Sequence, residues 1–390
     1  MKAAVVLIGV AACALVARPA RAQMQHDMSA MSPGWTFAVN GQAFLNLNLQ
    51  HRKFDDINRA ESQNWFMGTA GRSVGRGQLM LHAMFSAEPW TFHKYGSAQV
   101  FQTGETYQGA SLIDYQHPHD LVVSASGRFE WPVSASWRFI ASGGAVDAPA
   151  LGPEPFMHRA SAEANPTAPL GHHHLDSTHI THGVITLGAT NGTVTFEGSA
   201  FHGREPDEDR VAIEFGPIDS YSARVSWQRG RWQAQISAGH LKFPDPTEYT
   251  DDNRVTASVS YTGEFKGRPL AWSMMLGVNQ EPGVHLTTPA ALAEAAWRVA
   301  PRDLLYSRAE FVVKDILSHG GYDPPGFAHQ SVTSTVFALT LGYERRLASN
   351  RAGTLGLGAE ATIYAPDPNL EESYGQPFSA HVFLRYTFHK

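Results

Sequence analysis

Eight of the chain's 19 histidines fall between residues 117 and 182: His117, His119, His158, His172, His173, His174, His179 and His182. Neutral imidazole binds Cu²⁺ and Zn²⁺ well, and ligands from separate loops can converge on one ion. Carboxylates stand at short range in His117-Pro118-His119-Asp120 and in His172-His173-His174-Leu175-Asp176. The candidate ligands of a copper or zinc ion are therefore His117, His119, Asp120, His158, His172, His173, His174, Asp176 and His179. His179 and His182 fall on opposite faces if a strand has already begun there, so no more than one of them joins. The competing reading is structural: the same side chains hydrogen-bond within a loop that folds inward and narrows a pore.

Three further groups could do chemistry. Near residue 80, Leu79, Leu81, Ala83 and Phe85 face one way on an alternating segment while Met80, His82 and Met84 face the other. Thioether with imidazole favours soft Cu(I), as does the tail Gln23-Met24-Gln25-His26-Asp27-Met28-Ser29-Ala30-Met31. Methionine is also an ordinary gap-filler, which is the plainer account of each segment. Asp176-Ser177-Thr178-His179 contains the residue types of a hydrolase. However, an extended tetrapeptide does not bring three consecutive side chains to one point.

The elements that must position these residues are strands. Trp35, Phe37, Val39, Ala43, Leu45, Leu47 and Leu49 alternate with Thr36, Asn40, Gln42, Asn46, Asn48 and Gln50, giving one apolar face and one amide face. Similar period-two runs cover most of the chain after residue 34. One reads Val123, Ala125, Phe129 and Trp131 as apolar and Ser124, Ser126, Arg128 and Glu130 as polar. Short connections, at Pro132, Asn191-Gly192, Arg229-Gly230, Lys266-Gly267, Pro301 and Ser349-Asn350, alternate with long ones near 145–177, 204–217, 243–252, 281–290, 316–333 and 366–376. That rhythm predicts a transmembrane antiparallel up-and-down β-barrel with tight periplasmic turns and longer outer loops. Asn191-Gly192 predicts a type I′ hairpin. Trp131, Trp137, Trp227, Trp232 and Trp272 near the short turns predict an interfacial aromatic ring. Fifteen strands read clearly. Because both ends of such a barrel face the periplasm, an even number is needed; 91–101 is the candidate extra strand, giving about 16, with 14 as the fallback.

Lys2, the apolar run Ala3–Val16 and Ala20-Arg21-Ala22 predict an export signal over residues 1–22, cleaved before a Met/His-containing tail at 23–33 and a barrel at 34–390. A lipobox at Val10-Ala11-Ala12-Cys13 is the lesser alternative, since it shortens the apolar segment. The one cysteine, Cys13, lies in the signal, so the mature chain has neither disulfide nor thiolate ligand. Without Lys2, Arg18 and Arg21, 27 basic residues face 36 acidic ones, a net charge of −9 with no basic patch, which argues against a nucleic-acid partner. A charged fraction of 17% without any apolar segment long enough for a spanning helix suits a chain with one lipid face and one wet face.

The ending Leu384-Arg385-Tyr386-Thr387-Phe388 resembles the alternating, aromatic last strand of outer-membrane barrels, although His389-Lys390 follows it. Gly104-Glu105-Thr106-Tyr107, Gln116-His117-Pro118-His119-Asp120, Pro155-Phe156-Met157-His158-Arg159 and Asp176-Ser177-Thr178-His179 resemble uncharacterised His-rich outer-membrane barrels associated with copper handling. That resemblance implies an exported, porin-like barrel of the outer membrane, contacting lipid and passing or handling copper or small solutes. The loops at 102–120 and 145–178 would bear the metal ligands, and oligomerisation is compatible with this architecture. An outer-membrane hydrolase acting on lipid or carbohydrate, and a structural barrel whose loops bind a partner, are the alternatives. The absence of a plug-sized domain before residue 34 argues against a TonB-dependent receptor.

Overall fold

The computed structural model describes residues 34–53, 55–103, 105–244, 250–318, 322–323, 327–328 and 331–389. The expected signal and the tail at 23–33 lie outside the described residues. Sixteen antiparallel strands form one closed barrel. They are Thr36–His51, Asn64–Val74, Gly77–Phe85, Val122–Pro132, Arg138–Asp147, Thr181–Thr190, Val194–Phe201, Ser220–Arg229, Trp232–Leu241, Asp252–Phe265, Arg268–Glu281, Leu286–Ala300, Asp303–Ser318, Ser331–Ser349, Thr354–Pro366 and Phe378–His389. Each pairs with its sequence neighbour, and the last pairs with the first from Asn40↔His389 to His51↔Phe378. Closure leaves no unpaired edge, the condition for strands to cross a hydrocarbon layer. Ile57–Glu61 continues the second strand along the upper part of the first.

The alternation sorts side chains as expected. Leu45 and Leu47 are 63% and 54% exposed on the outer surface, whereas Asn46 and Asn48 between them are fully buried in the interior. Trp232 stands at the short-turn rim against Tyr261 and Trp272, with ring centres 5.0 and 5.5 Å away, and Trp137 stacks on Phe196. These aromatics form the interfacial belt.

Four local expectations change. Glu88–Thr91 forms one helical turn and Ser97–Ala98 pairs with Tyr115–Gln116, so 91–101 is not a wall strand; sixteen strands close the barrel without it. Asn191 does not take positive φ; its Oδ1 accepts from the amides of Thr193 and Val194 in a three-residue loop in which Gly192 alone is left-handed. The type I′ geometry belongs instead to Lys266-Gly267, whose φ values are +52° and +69°. The connection expected over 281–290 is only residues 282–285, because the flanking strands run on to Glu281 and from Leu286. Finally, Met84 pairs with Ser124 and Phe85 with Val122, so Val123 is the extra residue of a bulge and turns inward beside Met67, Met84 and Val146.

The two His-bearing loops span 86–121 and 148–180; the first is wider than the expected 102–120, and the second is shifted by two to three residues from the expected 145–178. Both fold into the barrel. Val100, Phe101 and Leu170 pack on wall residues Val312, Val336 and Ala338, and Tyr374 and Leu370 of the 367–377 connection cover them. The loop backbone is held by the polar inner wall: the amides of Ala150 and Gly152 donate to Ser199 and Ser237, and that of Leu170 donates to Glu310. At Gly277 a Cβ would lie 2.3 Å from the carbonyl oxygen of His174, so the wall needs glycine where the loop touches it.

Candidate functional site in the barrel lumen

Below the 148–180 loop lies a vestibule of about 800 Å³ that reaches the short-turn rim at Gly192, Gln228 and Thr262. One wall carries a continuous ladder of alternating charge. Arg138 pairs with Glu130 at 2.8 Å, Glu130 with Arg128 at 3.0 Å, Arg128 with Glu197 at 3.0 Å and Glu197 with Arg224 at 3.0 Å. The strands next to it, Trp232–Leu241 and Asp252–Phe265, offer neutral hydroxyls and amides, among them Ser258, Ser260, Gln233 and Gln235. Polar solutes can exchange hydrogen bonds across such a space without stripping all their water. Met80, His82 and Met84 also line the vestibule, as the alternation required. His82 Nδ1 lies 2.9 Å from Ser124 Oγ, and its buried Nε2 has no partner among the described residues.

The roof is fixed by a buried ion-pair centre. Arg159 reaches Asp176 and Glu294, each at 2.6 Å; Glu294 also meets Arg308 at 3.3 Å and accepts from Ser161 at 2.8 Å. Burial pushes the Asp176 carboxyl upward, but Arg159 and then His172 outweigh it and hold the group well below the usual carboxylate range. Asp176 therefore stays charged and locks the loop to the Leu286–Ala300 strand through Arg159.

Five histidines from the two loops meet above this centre. Ring centres of His119 and His179 lie 5.4 Å apart, those of His179 and His172 5.4 Å, those of His172 and His173 5.4 Å, and those of His173 and His117 6.3 Å. Burial lowers the pKa values of His117, His172 and His179, so these rings are neutral near pH 7. His173 faces Glu205 at 3.5 Å, and that contact, overcoming burial, lowers Glu205 to about 2.

The other candidates stand apart. Asp120 is taken by Arg210 at 3.3 Å and His182 at 3.5 Å. His174 is buried on the far side of the loop, where its carbonyl meets Gly277. His158 stacks edge-on against Trp65 and lines the vestibule. Of the His179 and His182 pair, only His179 joins the group: it sits in the 3₁₀ turn Ser177–His179, before the strand begins at Thr181. Among the described residues, no three His, Asp or Glu side chains already stand in an assembled coordination shell. The hydrolase constellation does not form either. Ser177 Oγ accepts from Arg254, Asp176 serves Arg159 and His172, and His179 Nδ1 bonds the Asp176 carbonyl. Glu88, whose Oε2 lies 2.7 Å from His119 Nδ1, and Arg159 are site residues that spacing could not reveal, because their partners lie 31 and 135 residues away.

A closed sixteen-stranded barrel with an inward-folded loop and a polar vestibule has the fold of the bacterial outer-membrane barrels. In fold, the chain is similar to an anion-selective porin from Comamonas acidovorans, with a TM-score of 0.53 and 10% identity over 91% of this chain and 100% of that one. It is also similar to OmpF of Salmonella typhi in complex with daunomycin (0.55, 9% identity, 90% and 97% covered) and to OprB of Pseudomonas putida at high pH (0.55, 9%, 92% and 94%). No protein-family model and no curated protein matches the chain.

Proposed function

We propose that the protein is exported to the outer membrane and forms a porin-like channel for small polar solutes, with a transition-metal ion, copper or zinc, held by its histidine-bearing loops. The observation that carries this reading is the polar vestibule roofed by loops in which five imidazoles from 86–121 and 148–180 meet. Neutral imidazoles suit Zn²⁺ and Cu²⁺, while Met80, His82 and Met84 on the vestibule wall offer a softer station suited to Cu(I). Outer-membrane lipid meets the apolar belt, and metal ions or small solutes meet the lumen.

The test is reconstitution of the full chain in liposomes. Entry of small sugars and of copper or zinc into dye-loaded vesicles measures permeation, and equilibrium dialysis of the detergent-solubilised barrel measures binding. Vesicles that remain tight to every solute would overturn the channel. A permeable barrel that retains no copper or zinc would overturn the metal reading alone. Recovery of the folded chain from the soluble periplasm would overturn both the location and the channel.

A further inference from the structure

Four of the five clustered histidines hold Nδ1 against an oxygen that only accepts; one is His117, on the Pro118 carbonyl at 2.9 Å, but its ring stands 6.3 Å from His173, wider than the 5.4 Å steps that join the other three. His119 Nδ1 lies 2.7 Å from Glu88 Oε2, His172 Nδ1 2.7 Å from Asp176 Oδ1, and His179 Nδ1 2.8 Å from the backbone oxygen of Asp176. Carboxylate and carbonyl oxygens only accept, so in each ring the proton sits on Nδ1 and the lone pair is on Nε2. This is how metal-binding imidazoles are oriented in proteins: an oxygen behind each ring fixes its tautomer and raises its basicity. The Nε2 of His179 is buried with no partner among the described residues.

The spacing agrees. With metal–nitrogen bonds of about 2.0–2.1 Å, two imidazoles on one tetrahedral ion place their ring centres about 5 Å apart. His119–His179 and His179–His172 both stand at 5.4 Å. His119 and His172 border a small cavity of about 40 Å³ together with Glu88 and Phe156, and His179 and Asp176 border the vestibule on the other side. The three rings therefore stand between a closed space and an open one.

We infer that His119, His172 and His179 form a three-imidazole site for a single borderline divalent ion, Zn²⁺ or Cu²⁺, bound through their Nε2 atoms with the fourth position open. This rests on the reading of the loops as metal-holding and names the ligands within it. Glu88 and Asp176 are positioning residues that hold the rings. His173, engaged with Glu205, and His174, across the loop, lie outside the site. Two of the three ring pairs already have the spacing of a shared ion, and closing the shell requires the His119 and His172 rings to move toward each other. Because His119 comes from one loop and His172 and His179 from the other, the ion would tie the two together.

The test uses the full-length detergent-solubilised barrel titrated with Co²⁺ as a spectroscopic probe, then competed with Zn²⁺. Wild type is expected to bind one equivalent with the intense visible absorption of a tetrahedral ion. His119→Ala, His172→Ala and His179→Ala should each lose that absorption, while His173→Ala should keep it with affinity within a few-fold. Glu88→Gln should keep the tetrahedral spectrum and lose about 10–100-fold in affinity. Heat-modifiable gel mobility verifies that each variant is a folded barrel, and His119→Gln, which keeps bulk and polarity, replaces the alanine variant if that fails to fold. A folded His119→Gln or His179→Ala that binds like wild type, or a His173→Ala that loses as much, overturns this ligand set and leaves the broader metal reading standing. Wild type that binds neither Co²⁺ nor Zn²⁺ overturns both.

Discussion

Replacing Arg159 with methionine should release the 148–180 loop from the wall without opening the barrel. Arg159 is 3% exposed and lies 2.6 Å from both Asp176 and Glu294, which are equally buried. Methionine keeps much of the length and removes the charge. Asp176 would retain His172 and the Phe156 amide, and Glu294 would retain Arg308 and Ser161, so each carboxylate loses its shortest ion pair but not its last partner. Breaking a buried pair by removing one member costs about 3–5 kcal/mol. At about 1.4 kcal/mol per tenfold, the balance between seated and released loop shifts by roughly 10²-fold to several thousand-fold. The strand ladders do not involve Arg159, so the heat-modifiable mobility of the closed barrel should be unchanged. Two readouts follow the loop: amide hydrogen exchange in peptides from 148–180, expected to speed up, and single-channel conductance in planar bilayers, expected to rise as the roof leaves the vestibule. Arg159→Lys, which restores one charge, should fall between the two. A folded Arg159→Met barrel with wild-type exchange and conductance would show that the loop is held by its apolar packing and its serine contacts, and that the ion-pair centre is dispensable.

Leu384→Arg, on the outer face, should impair membrane assembly by about 2–4 kcal/mol if it sits near the midplane, read as loss of folded barrel on gels. Val123→Arg should behave differently, loosening the 148–180 loop rather than lipid insertion, because the bulge turns Val123 inward. Glu197→Gln leaves Arg128 and Arg224 without their shared partner, so reversal potentials should move toward anion preference; no movement would mean that the ladder does not face the permeation path. Acid should also loosen the loops. Burial lowers His172, His174 and His179 in the seated state, whereas released rings titrate near 6.5. Seating is therefore strongest above about pH 6.5 and weakens by about 1.4 kcal/mol per histidine per pH unit below it, until the folded value is reached. Asp176, held low, contributes fully above the ordinary carboxylate range and loses that contribution only as pH falls through that range and below it, so it leaves the change between pH 7.5 and pH 5 to the histidines. Once exchange is normalised to the intrinsic amide rate at each pH, lower protection of 148–180 at pH 5 than at pH 7.5 is expected, and protection that does not change would refute the buried-neutral assignment.

The barrel was legible because its physics is local: alternation of Leu45 and Leu47 with Asn46 and Asn48 states which face is wet without reference to any other strand. Turn chemistry was legible in part. Lys266-Gly267 and Asn191-Gly192 read alike, yet the asparagine side chain caps two amides and needs no left-handed residue of its own. The bulge at Val123 was invisible, since a single extra residue changes facing without changing composition. The segment at 91–101 misled for the opposite reason: parity demanded one more strand, and a loop filling the lumen carries apolar residues such as Val100 and Phe101 for packing rather than for lipid.

Within the site, type was readable and partnership was not. Histidine density singled out the two loops, but it gave His173, His174 and His119 equal standing. What separates them is the group behind each ring: Glu205 at 3.5 Å from His173, the wall at Gly277 beside His174, and Glu88 at 2.7 Å from His119. Glu88 and His119 are 31 residues apart on a loop whose two ends are adjacent wall strands. Their meeting is therefore set by how the loop packs, through Gln99 and Gln102 donating to the carbonyls of Ala168 and Pro169 on the other loop. A loop in water would leave Glu88 solvated and His119 free to rotate. Drawn inside a barrel and packed on the 148–180 loop, whose backbone the wall holds through Ser199, Ser237 and Glu310, the same loop exchanges water for fixed oxygens, and its imidazoles acquire one tautomer and one direction. The wall thus contributes no imidazole to the cluster, yet it decides which loop histidines can act as ligands.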